Sequence, residues 1–230
     1  MMEIVEDIHW IDEASKNIAH SNVYLVINNK ELMIIDTGTA GNAKKTVEYI
    51  QKLGHQPNEV STIILTHYHM DHSGSAKELK EVTGAKVAAN PQDALFISGE
   101  TPYPKPKSLL LRAAQSFIKP APVPVDIKLK DGDVIGNLKV FFTPGHSPGS
   151  IMLLDERRKV LFSGDTLRID NTKVTRGPEN FTWDKTLEDE SIARVATLDF
   201  DVLLPGHGDS LKSKASDAVK EFANQLKREK

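Results

Sequence analysis

Four apolar runs in this chain each stop at a side chain that can ligate a metal. IILT (63–66) leads into His67, VFFTPG (140–145) into His146, VLFSG (160–164) into Asp165 and VLLPG (202–206) into His207. A fifth run, LMII (32–35), stops at Asp36. Short runs rich in bulky and β-branched residues and bounded by turn residues read as buried strands. Strand ends of one sheet converge in space, so these residues can meet although they lie far apart along the chain. In three of the four approaches a glycine stands just before the ligand, where it lets the backbone bend sharply and come close. The chain must therefore gather several strand ends at one edge, with rigid strands behind and chemistry on the loops.

The segment THYHMDHSG (66–74) adds to this. It places three histidines and an aspartate between His67 and His72. A core has no use for them, because each buried imidazole or carboxylate needs a polar partner. His67 and His69 have the spacing for two imidazoles on one side of an extended segment. Asp71 and His72 start the helix that follows, where the carboxylate is favoured by the helix N-terminus. The run thus offers two ligand pairs facing slightly different directions, each able to hold one ion. His146 and His207 can complete the two sets, and Asp165 can bridge them. His9 and His55 match no such context and are expected on the surface. His20, just before the strand 22–27, is a weaker candidate for a pocket. Tyr68, between two ligands, reads as a packing residue.

Elsewhere strands and helices alternate. Strands are expected at 23–27, 31–36, 61–66, 86–90, 138–142, 150–155, 159–163 and 201–205, with a hairpin turn at NNK (28–30). Helices are expected from Gly41 to Leu53, over 75–84 with Ala76, Leu79 and Val82 inward, over 185–198, and at the C-terminus with Ala215, Val219, Phe222 and Leu226 on one stripe. Two such alternating runs predict an α/β layered fold with the helices outside. The 230 residues fit one domain, 1–230. Residues 99–125 change character. Pro102, Pro104 and Pro106 stand on one side and Pro120, Pro122 and Pro124 on the other, with SLLLRAAQSFI (108–118) between them as a helix. This Pro-bounded insertion reads as a lid over a pocket or as a dimer contact.

Composition removes several function classes. There is no cysteine, which excludes disulfides and thiolate ligands, so a metal must be held by nitrogen and oxygen. The net charge of -3, from 29 basic and 32 acidic residues, gives no basic surface for nucleic acid. No apolar run approaches the roughly 18–20 residues of a membrane span. The N-terminus has no signal-peptide pattern, which predicts a cytoplasmic protein acting on a small molecule.

In this order, THYHMDHSG, TPGHSPGS, FSGDT and LLPGHG, with IDTG at 35–38, resemble the metallo-β-lactamase-fold hydrolases, in particular their small glyoxalase II-like members. The resemblance covers about residues 20–210. It implies a four-layer αββα sandwich and two divalent metal ions, usually zinc and sometimes iron or manganese. It also implies a ligand set: His67, His69 and His146 for one ion, Asp71, His72 and His207 for the other, Asp165 as the bridge, and Asp36 orienting a ligand.

Two ions roughly 3.5–4 Å apart share one water and hold it as hydroxide near neutral pH. No serine or cysteine nucleophile is then needed. Asp71 is the residue expected to position or deliver the leaving group's proton. The family resemblance leaves the substrate open. Glyoxalase II proteins carry a further helical domain, whereas only 23 residues follow His207 here, which predicts a thioester other than glutathione's. RNA-processing members carry a large inserted domain and a basic arm, and a secreted β-lactamase needs an export signal; neither pattern is present. The expectation is hydrolysis of a small ester-like bond: a thioester, a lactone or a related ester. Phe181 and Trp183 are expected to wall the pocket, with Arg168 or Arg176 meeting an anionic group. The alternatives are a phosphodiesterase and a mononuclear-iron oxidoreductase like the persulfide dioxygenases. Flavodiiron proteins usually have Glu where His69 stands. A non-catalytic scaffold predicts eroded ligands, and all seven are present.

Overall fold

A computed structural model describes residues 1–12, 21–28, 31–104 and 120–229. The expected insertion helix at 108–118, His20 and the turn residues 29–30 lie outside the described residues. The chain divides into two compact units, Met1–Lys128 and Leu129–Lys230.

The first unit is a seven-stranded sheet in sequence order: β1 (Met2–Val5), β2 (Ile8–Asp12), β3 (Val23–Asn28), β4 (Glu31–Ile35), β5 (Val60–Ile64), β6 (Lys86–Ala89) and β7 (Ile127–Lys128). Strands β1 to β4 pair antiparallel, and β4 to β7 pair parallel. The parallel connections carry α1 (Ala43–Lys52), then α2 (Met70–Ser73) and α3 (Ala76–Thr83), then α4 (Pro91–Ile97). Alternate strand residues Val23, Leu25, Leu32, Ile34, Ile63 and Val87 pack with Ile50 of α1, Leu79 of α3 and Ile97 of α4. The residues between them, Tyr24, Val26, Met33, Ile35, Ile64 and Ala88, are buried as well. Strands buried on both faces have no polar side to show, which is why they read as unbroken apolar runs.

Two details depart from the sequence reading. Val82 is 55% exposed, whereas Ala76, Leu79 and Thr83 form the buried stripe of α3. At 3.6 residues per turn Val82 sits roughly 90° from the middle of that stripe. His9 is not a surface residue but 7% exposed, on β2, with Nδ1 3.1 Å from the Tyr49 hydroxyl. Strands β1 and β2, which position it, mix charged and apolar residues and gave no alternating signal.

The second unit is a five-stranded sheet in the order β14-β11-β10-β9-β8. Its strands are β8 (Val134–Ile135), β9 (Leu138–Phe142), β10 (Ile151–Asp155), β11 (Val160–Gly164) and β14 (Val202–Pro205). A hairpin of β12 (Arg168–Asp170) and β13 (Lys173–Thr175) follows β11, where no strand is expected from the sequence. Helices α5 (Lys185–Val195) and α6 (Ala215–Arg228) pack Ile192, Val195, Val219, Ala223 and Leu226 onto Phe141, Met152, Leu161 and Leu203. β9 and β11 both pair antiparallel with β10, and β14 is parallel to β11. So β9, β11 and β14 run the same way and deliver His146, Asp165 and His207 to one edge. Among the described residues no helix is long and apolar enough to cross a membrane.

Burial lowers the His9 pKa from its usual 6.5, against the opposing pull of Glu3 and Asp7. The fold therefore prefers neutral His9, and the unfolded chain binds more protons below pH 6.5. Stability is present above that pH and is lost as pH falls below it. Urea midpoints at pH 7.5 and 5.5 should show a smaller drop for His9→Gln than for the parent protein.

Candidate metal centre

In the first unit the site grows from Asp36, which follows β4 and is 2% exposed in a left-handed conformation (φ 57°). A buried carboxylate is costly unless its oxygens are filled. Here Oδ1 accepts from the Thr66 backbone N–H at 2.8 Å. Oδ2 accepts from the Thr66 hydroxyl and from His72 Nδ1, both at 2.8 Å. A carboxylate only accepts, so His72 carries its proton on Nδ1 and presents the Nε2 lone pair. That Nε2 lies 3.8 Å from Asp71 Oδ2.

The same count settles His67. Thr66 spends its one hydroxyl hydrogen on Asp36, so its oxygen accepts from His67 Nδ1 at 3.1 Å. His67 therefore also offers Nε2. Its ring centroid is 4.6 Å from that of His69 and 4.0 Å from that of His72. A ring nitrogen of His67 is within 4.8 Å of one on each of these two.

Backbone clamps hold the run in place. Thr37 N–H and hydroxyl both donate to the His72 carbonyl at 2.7 Å, and Ser21 donates to the Asp71 carbonyl. Tyr68 N–H donates to the fully buried Asp93 of α4 at 2.9 Å. A Cβ at Gly74 would stand 2.4 Å from the Met70 carbonyl oxygen and 2.5 Å from Ala40 N, so only glycine lets the two loops touch. Asp71 does open a helix, but α2 is four residues long, too short to stabilise the carboxylate through its dipole. Tyr68 packs against Phe96 and Tyr103 with ring centroids at 4.6 and 5.3 Å, and burial pushes its hydroxyl pKa up. It is a packing residue.

In the second unit Asp165 Oδ2 lies 3.2 Å from His207 Nε2 and 3.8 Å from His146 Nε2. One carboxylate oxygen thus stands between two imidazole nitrogens. Asp165 and His207 are neighbours because β11 and β14 pair in parallel, with Gly206 N–H bonded to the Gly164 carbonyl at 2.7 Å. His146 sits on the loop after β9, tied to α5: Asp184 N–H donates to the Gly145 carbonyl at 2.9 Å and Trp183 N–H to the His146 carbonyl at 3.1 Å. Glu188 of α5 is fully buried, and burial raises its pKa to about 8, with Arg176 pulling the other way. Arg176 pairs with Asp189 at 2.7 Å. Phe181 and Trp183 are 43% and 53% exposed.

Each unit thus assembles its share of the predicted ligands: His67, His69, Asp71 and His72 in the first, His146, Asp165 and His207 in the second. Imidazole and carboxylate donors with no thiolate suit a divalent ion of the zinc, iron or manganese type. The fixed Nε2 lone pairs of His67 and His72 fit such an ion without rearrangement. Sequence reasoning missed the supports Asp93 and Glu188, which lie in no motif, and the supporting role of Thr66, which opens THYHMDHSG without being a ligand.

The family model of the metallo-beta-lactamase superfamily matches residues 18–207, and the chain belongs to that superfamily. Over 98% of its length it superposes on a metallo-beta-lactamase family protein of Thermus thermophilus, covering 81% of that chain with a TM-score of 0.75 at 21% identity. Its mixed α/β fold is therefore the metallo-β-lactamase fold. It is 28% identical over 195 residues to the hydroxyacylglutathione hydrolase GloC of Haemophilus influenzae, spanning 79% of this chain and 82% of GloC. It is 32% identical over 180 residues to the acyl-coenzyme A thioesterase MBLAC2 of Gallus gallus, spanning 70% of this chain and 62% of that protein. The protein is a metal-dependent hydrolase.

Asp36→Asn places an amide N–H₂ against one of three donors. Metal affinity, read by competition with a chromophoric chelator, should fall about 10–100-fold, the range typical for losing such a support.

Proposed function

We propose that the two ligand sets act together as a dinuclear centre, and that the protein hydrolyses a thioester of a small acyl group. In this reading His67, His69 and His146 would hold one divalent ion and Asp71, His72 and His207 the other, with Asp165 available to both; zinc is the first choice of metal. The two units then work as one catalytic domain. The observation that carries the reading is the His72–Asp36–Thr66–His67 hydrogen-bond chain, which turns two imidazoles into pre-set Nε2 donors. Two ions, when bound, supply an activated water and a Lewis acid for the acyl carbonyl.

The chain's own residues do the rest. The seven ligands are charge-complementary to two cations: five neutral imidazoles and two carboxylates. Asp71, about 20% exposed at its side chain, is the more accessible carboxylate and would take the proton released by the attacking water and pass it to the leaving thiolate. Trp183 and Phe181, exposed on the segment bonded to the His146 carbonyl, offer an apolar face to an acyl chain. Thioesters are favoured over lactones by the activities of the two relatives. Glutathione thioesters belong with acyl-coenzyme A in the panel, since the relative with that activity is matched over 82% of its own length.

The test is metal content followed by turnover. Protein purified without chelator should carry about two ions per chain, and chelation should abolish thioester hydrolysis until zinc, manganese or iron is returned. Asp71→Asn, saturated with metal, should lower kcat by about 100-fold or more, as loss of a proton-transfer group does. One iron per chain with oxygen uptake on persulfides, or no turnover of any thioester by the two-metal protein, would overturn the reading.

A further inference from the structure

Among the described residues, Glu188 is a fully buried carboxyl beside a ligand that the proposed centre leaves without a task. Its Oε2 accepts from the Thr182 hydroxyl at 3.3 Å. Its Oε1 is shielded from solvent and has no hydrogen-bond partner among the described residues. That oxygen lies 3.9 Å from His146 Nδ1. The nearby guanidinium of Arg176 is engaged with Asp189 at 2.7 Å. Burying a carboxyl this way is costly, so each such group calls for an explanation.

The fold brings Glu188 to His146 by a close approach. Gly145 has φ +140°, and a Cβ there would stand 2.2 Å from Glu188 N and 2.3 Å from its Cα. The loop carrying His146 therefore lies directly on the first turn of α5. The two faces of the His146 ring then match those of His72. His72 has Asp36 on Nδ1 at 2.8 Å and Asp71 3.8 Å from Nε2. His146 has Glu188 3.9 Å from Nδ1 and Asp165 3.8 Å from Nε2. In each unit one carboxyl faces the Nδ1 side and another the Nε2 side.

An imidazole that binds a metal through Nε2 carries its proton on Nδ1, and an acceptor there fixes both tautomer and ring plane. We propose that Glu188 is the positioning residue for His146, its Oε1 accepting from Nδ1–H so that Nε2 is held toward the ion. This rests on the reading of His146 as a ligand. The gap is roughly 1 Å longer than an N–H···O bond, a distance that a turn of the carboxyl about its own side chain spans. The role does not depend on charge, because an ionised carboxylate and the carbonyl oxygen of a neutral carboxyl both accept.

That independence gives the test. Glu188→Gln keeps an acceptor oxygen of the same reach, and Glu188→Leu removes it at similar volume. With zinc titrated against a competing chelator, Glu188→Leu should weaken binding at one of the two sites about 10–100-fold. Glu188→Gln should stay within about 3-fold of the parent, well below that range. In long-range ¹H–¹⁵N spectra of the zinc-loaded protein, His146 should be protonated on Nδ1. Glu188→Gln should shift that signal and leave the His72 signal in place. Equal losses for both variants, no loss for either, or a His146 protonated on Nε2 would overturn the assignment. If Glu188→Leu does not fold, the spectra of the parent and Glu188→Gln decide alone: an unmoved His146 signal sinks it. His146→Ala separates the two levels. Unchanged zinc binding in that variant removes the ligand reading itself, whereas lost binding there with a silent Glu188 removes only the positioning role.

Discussion

The rest of the structure hangs on one shared carboxylate. Asp36 accepts three hydrogen bonds, from the Thr66 N–H, the Thr66 hydroxyl and His72 Nδ1. Those contacts bridge the end of β4 to the segment after β5 and to α2. Removing such a carboxylate from water is tolerable only when its oxygens are filled, so its burial at 2% exposure and its partners come as a unit. The left-handed backbone at Asp36 is a strained state that the surrounding bonds must hold. In exchange, two histidines separated by five positions are locked in the tautomer that binds metal. The same interaction is therefore both a corner of the fold and the preparation of the site.

The second unit reaches a comparable result by topology. Parallel pairing of β11 with β14 sets Asp165 beside His207, and β9, running the same way, brings His146 to the same edge. The glycines of these loops serve close approach. Gly145 lies on the first turn of α5, and Gly208, at φ +80°, has the Ile169 carbonyl oxygen 2.6 Å from where a Cβ would be. Larger residues there would push the ligand loops away from the elements that support them.

Legibility in the sequence followed physical cause. The central strands were readable because both faces are buried and the runs are continuously apolar. The outer strands β1 and β2 were not, because MEIV and IHWID mix charge with apolar residues. Likewise α4 is a single short turn pair, PQDALFI, and the β12–β13 hairpin hides in a polar stretch. The three-residue spacing of Ala76, Leu79 and Val82 points Val82 inward, whereas the stripe that packs is Ala76, Leu79 and Thr83. Glu188 sits in LEDE, which reads as a solvated helix face, yet α5 buries Glu188 and Asp189 together. His9 went the same way, a lone polar residue that a hydroxyl 40 positions away made tolerable inside.

The sequence by itself determined which atoms are available to a metal: imidazole nitrogens and carboxylate oxygens at the ends of apolar strands, with no thiolate. That much is local, since donor chemistry belongs to the side chain and strand burial to the run that precedes it. Tertiary structure alone decided how those donors are presented. The tautomer of His72 is set by Asp36, 36 positions earlier, that of His67 by a hydroxyl whose hydrogen is claimed from 30 positions away, and the surroundings of His146 by a helix that follows it. A hydrogen bond depends on distance and direction in space, and no spacing along a chain encodes either until the chain has folded.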